Sequence, residues 1–77
     1  MRTYHFAAVV KREGNGYTAL CPELDIVSEG DTVDEACRML KEAVRLFLEC
    51  AGTEEVDERT GKQCHIIPME CSIDQDR

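Results

Sequence analysis

The 77-residue chain has no tryptophan, two tyrosines, two phenylalanines, two prolines and five glycines. So few aromatics leave little from which to build a base-stacking platform. So little proline and glycine excludes collagen-like and low-complexity disordered classes. No apolar run approaches the roughly 20 residues that cross a bilayer. The opening Met1-Arg2-Thr3-Tyr4 leads straight into strand-like sequence without the apolar centre of a secretory signal, which points to a cytoplasmic protein. P-loop, GxGxxG and GxSxG signatures are missing, and with them the usual supports of nucleotide binding and acyl transfer.

Five cysteines, an odd number, contain no CxxC pair and no spacing of a zinc site. In a reducing compartment Cys21, Cys37, Cys50, Cys64 and Cys71 are expected to be small hydrophobes of the core, Cys37 on the apolar stripe of a helix. Neither metal nor other cofactor is expected. With 16 acidic and 9 basic residues the net charge is -7. Such a surface repels phosphate backbones and anionic lipid, so direct DNA binding and membrane binding are not expected, and a basic protein is the easier partner.

What is present is the pattern of one small domain spanning residues 1–77. Residues 3–11 alternate as a strand, with Tyr4, Phe6, Ala8 and Val10 on one face and His5, Ala7, Val9 and Lys11 on the other. Glu13-Gly14-Asn15-Gly16 predicts a tight hairpin turn, with the Asn-Gly step supplying its positive φ. A return strand over residues 17–21 stops at Pro22, and a third strand covers residues 26–29. Thr32-Val33-Asp34-Glu35 is a capping box, so a helix starts there. Val33, Ala36, Cys37, Leu40, Ala43, Val44, Phe47, Leu48 and Ala51 recur at three-and-four spacing, and Gly52 stands where a left-handed cap is expected. Asp34 with Arg38, Arg38 with Glu42 and Arg45 with Glu49 are spaced as ion pairs of a solvated face. Residues 53–63 are expected to form a polar loop, residues 64–71 a last strand demoted in part to an edge by Pro68, and residues 72–77 a frayed tail.

This order predicts an α+β fold, βββαβ, a mainly antiparallel sheet with one amphipathic helix on one face. The other sheet face is left open, with apolar residues that need a cover, and a second copy of the chain supplies one.

Gly16-Tyr17-Thr18-Ala19-Leu20-Cys21-Pro22-Glu23-Leu24, then Ser28-Glu29-Gly30-Asp31-Thr32-Val33-Asp34-Glu35-Ala36 and the helix through Leu40-Lys41-Glu42-Ala43-Val44, resembles the HicB antitoxin family over about residues 4–50. The Gly-Asp-Thr-x-x-Glu-Ala helix start is the most specific part. The resemblance implies a truncated ribonuclease H-like fold without catalytic machinery, self-assembly into dimers or larger species, and occlusion of a basic HicA-type RNA-cleaving toxin. The sequence departs from the pattern in two places. Leu24-Asp25-Ile26-Val27 stands where many members have a Pro-Gly turn, and these 77 residues are too few to hold the C-terminal ribbon-helix-helix or helix-turn-helix segment of full antitoxins, so operator binding is not expected.

Two other classes compete. One is a homo-oligomeric domain with a different regulatory protein-binding role. The other is a metal-dependent nuclease, whose candidate carboxylates are Glu23, Asp25, Glu29 and Asp31; acidic turn residues are more often solvated or capping. His5 and His65 lie in predicted strands without an acid-nucleophile pattern and are expected to be ordinary sheet histidines. Tyr17, beside the hairpin turn, is a surface aromatic that can anchor a partner, though packing on the first strand competes for it. The reading is therefore non-enzymatic, with Tyr17, Glu23, Asp25 and Glu29 as candidate partner-binding residues.

Overall fold

The computed structural model describes residues 3–60 and 64–74. It is an α+β fold: three strands, β1 (Val9–Glu13), β2 (Gly16–Cys21) and β3 (Ile26–Gly30), followed by helices α1 (Val33–Cys50) and α2 (Thr53–Thr60). The strands form one antiparallel sheet in the order β1-β2-β3.

The hairpin joining β1 and β2 closes in register Glu13 opposite Gly16, with Gly14 at φ +60°. The positive φ thus falls on Gly14, not on the Asn-Gly step. Glycine at the first central position of a two-residue loop matches the twist of the strands it joins. The strand expected over residues 3–11 enters the ladder only at Val9. Extending the register would place Ala7 opposite Pro22, which has no N–H to give to the ladder; the Ala7 N–H donates to Glu23 Oε2 at 2.9 Å.

The turn before β3 is built on one carbonyl: Leu24 and Asp25 both donate their N–H groups to Cys21 O, at 3.3 and 2.7 Å. Asp25 sits at φ +60°, a left-handed conformation that aspartate tolerates better than most residues. This aims Leu24 into the core, where it is fully buried.

The helix start conforms to the capping box. Thr32 Oγ1 accepts from the Glu35 N–H at 3.0 Å, and Glu35 Oε1 reaches back to accept from the Asp31 N–H at 2.6 Å, one residue beyond the cap itself. The chain turns from sheet to helix at Gly30, where a Cβ would lie 2.5 Å from Ala36 N. Ala36, Leu40 and Val44 of α1 close on Ala19, Cys21 and Leu24, with Phe6, Val10, Tyr17, Ile26, Phe47 and Leu48 packed around them. The helix lies over β2 and β3 and barely reaches β1.

Five further expectations are corrected. Helix α1 ends on Ala51, an extended cap at φ -86° whose N–H donates to Phe47 O at 2.8 Å, instead of a left-handed Gly52. Residues 53–60 are helical and not a loop: Glu54 and Glu55 lie in the first turn, where acidic side chains favour a helix, and Val56 is buried. Residues 64–71 join no ladder among the described residues, so the expected fourth strand is not formed. Cys21 is buried, Cys37 and Cys64 are half-buried, but Cys50 and Cys71 are exposed, so core packing explains only some of the five thiols. On the outer face of α1, Arg45 pairs with Glu49 at 3.6 Å and also with Glu42 at 3.4 Å, while Arg38 leans towards Glu35 at 3.8 Å and not to the residues four away. Residues 61–63 of the expected loop and 75–77 of the tail lie outside the described residues.

Candidate functional site

Strand alternation divides the sheet into two faces. Val10, Tyr17, Ala19, Cys21 and Ile26 face α1, leaving the other set on the uncovered side. There the register aligns Val9, Leu20 and Val27 in a row across all three strands. Val9 is 44% and Val27 55% exposed, with half-buried Leu20 between them. The next row is Lys11, Thr18 and Glu29, and at its edge Thr18 Oγ1 donates to Glu13 Oε1 at 2.5 Å. The open face is therefore an apolar bar beside a charged and hydroxylated one.

The four candidate carboxylates of a metal site fall at opposite ends of β3. Glu23 and Asp25 belong to the turn before it, Glu29 and Asp31 to its far end, about 13 Å further on at strand rise. They do not converge, and among the described residues no cluster of histidine, cysteine, aspartate and glutamate has the arrangement to hold a metal ion.

The predicted partner-binding residues meet the same division. Tyr17 is half-buried on the helix side, opposite Arg12 and Gly30, and its edge lines a hollow of about 540 Å³ at the hairpin end with Glu13, Asn15, Thr18, Glu29 and Asp31. Glu29 is exposed on the open face and reaches that same hollow. Asp25 is exposed at the other end. Glu23 is half-buried and turned inward: besides the Ala7 N–H it accepts from Cys21 Sγ at 3.5 Å. Burial first, and the Glu23 carboxylate beside it, push the Cys21 thiol up from its ordinary value of 9.0, so it stays protonated and inert at neutral pH.

Sequence reasoning did not anticipate a second hollow of about 420 Å³ between residues 3–7 and α1, floored by Leu40, Val44 and Leu48, with Phe6 on one wall and Lys41 and Arg45 on the rim. Tyr4 stacks on Phe6 beside it, ring centroids 5.9 Å apart. The i, i+2 placement of these two aromatics was the available signal.

A UPF0150 protein of Helicobacter pylori strain J99 is 38% identical to this chain over 67 residues, covering 86% of the chain and 93% of the relative. The chain belongs to the UPF0150 family. The match runs over most of this chain and nearly the whole of its UPF0150 relative. No family model matches the chain, and no solved structure matches it at a significant level.

Proposed function

We propose that this domain is a non-enzymatic, HicB-like protein-binding module of the cytoplasm that self-associates and occludes a basic toxin of the HicA type. One observation carries the reading: among the described residues no element covers the sheet face opposite α1, which presents Val9, Leu20 and Val27 as a bar beside Lys11, Thr18 and Glu29. Each such side chain fully buried is worth about 1.5–3 kcal/mol, which only a protein surface of matching shape collects. The charge of -7 supports a basic partner and opposes nucleic acid. Tyr17 and Glu29 at the hairpin-end hollow, and exposed Asp25 at the other end of the sheet, remain the candidate contacts. Glu23 contributes by holding the turn.

Co-expression with a small basic ribonuclease of the HicA type tests the reading. Co-purification and rescue of growth support it; failure to bind removes the antitoxin role and leaves the homo-oligomeric alternative. Pure protein incubated with single-stranded RNA and Mg²⁺ or Mn²⁺ tests the nuclease alternative, for which no cleavage is expected.

A further inference from the structure

We infer that residues 64–71 form an exchange arm that adds a fourth strand at the β1 edge of a second copy and fills the hollow between that copy's residues 3–7 and α1. The inference rests on the reading that the domain self-associates, and specifies how the copies join.

The arm has apolar side chains without a place to put them. Ile66, Ile67 and Met69 are 51%, 74% and 89% exposed, and the segment belongs to no ladder among the described residues. The same chain has the matching vacancy. Strand β1 is an edge of the sheet, α1 barely covers it, and the neighbouring hollow is floored by Leu40, Val44 and Leu48. An unpaired edge beside an apolar floor is what an added strand fills.

Strand geometry fixes how the arm sits. Ile67 and Met69 are two apart, so their side chains share one face and their N–H groups point to one side. Pro68 then has its missing N–H on the opposite, outer side, the position an edge strand tolerates.

The shape of the molecule favours a second copy as recipient. A compact 77-residue chain has a radius of gyration of about 11.5 Å, whereas this one has 15.4 Å and extends 54 Å along its longest axis, with its own hollow open. Each chain giving one arm and receiving one closes a two-fold dimer, in which every arm and every hollow is used.

The test mixes ¹³C-labelled and unlabelled full-length chains and records isotope-filtered NOEs, alongside sedimentation of the wild type and of the double variant Ile67→Asp, Met69→Asp. The expected result is inter-chain NOEs from the Ile67 and Met69 methyls to those of Leu40, Val44 and Leu48. The variant should dissociate at least tenfold more readily while its amide spectrum over β1 to α1 is unchanged. If these NOEs arise only within one chain, or a dimer forms with none of them, the exchange is overturned and association through the open sheet face still stands. A single-chain mass for the wild type overturns both.

Discussion

The Ala7 N–H donates to the Glu23 carboxylate at 2.9 Å, sixteen residues along the chain, just before the register meets Pro22. One acidic side chain thereby fixes where β1 begins and ties it to the turn before β3. Glu23→Ala leaves that half-buried N–H without its acceptor and should lower stability by about 1–2 kcal/mol. Glu23→Gln keeps an acceptor oxygen and should lose less than half as much. Urea midpoints with unchanged slopes measure both, and faster exchange of the Ala7 amide in the alanine variant locates the loss.

Gly30 is the second point where one residue governs the fold. A Cβ there would meet Ala36 N at 2.5 Å and Glu35 C at 2.9 Å, both backbone atoms of the first turn of α1. Gly30→Ala must push the helix off β3 and should cost about 2–3 kcal/mol. Thr32→Ala, which removes only the cap oxygen, should cost about 1 kcal/mol. Thermal or urea unfolding ranks the two, and the reverse order would contradict the close approach.

The Cys21 thiol gives the stability a pH dependence of known sign. Burial, with Glu23 beside it, holds its pKa above 9.0, so the native state keeps the proton more tightly than the unfolded chain does. The resulting stabilisation is complete below pH 9.0 and is lost as pH climbs from there through the raised native value. Urea midpoints taken from about pH 8 to about pH 10 should fall, less steeply in Cys21→Ala. A thiol reagent at neutral pH should modify exposed Cys50 and Cys71 promptly and Cys21 only on unfolding.

Val27 tests the open face without touching the core. At 55% exposure it accepts Val27→Asp with a stability change within about 0.5 kcal/mol. Its loss breaks the Val9, Leu20, Val27 bar, so partner binding should weaken at least tenfold by calorimetry. Lys41→Ala, on the helix side, should leave that binding unchanged.

Much of this architecture was legible in the residues, because its signals are local. The capping box at Thr32 and Glu35, the three-and-four spacing of Ala36, Leu40 and Val44, and the alternation that puts Val9 and Val10 on opposite faces each require only near neighbours. Helix α2 was illegible because eight residues with one buried apolar side chain, Val56, carry no periodicity. The start of β1 depends on Glu23, sixteen residues away. Residues 64–71 read as a strand from composition, but pairing is a property of the surface a strand meets and not of the strand alone. The same holds for Tyr17, Glu23, Asp25 and Glu29: their types were visible, but their partition to two ends of β3 and the inward turn of Glu23 needed the register.

Light scattering of the pure wild-type chain at micromolar concentration, in salt sufficient to screen its charge, tests the central claim most directly. A molecule whose uncovered β-face and unpaired arm are built for association should scatter as two or more chains of 8.7 kDa each. A homogeneous species with the mass of one chain would contradict the account.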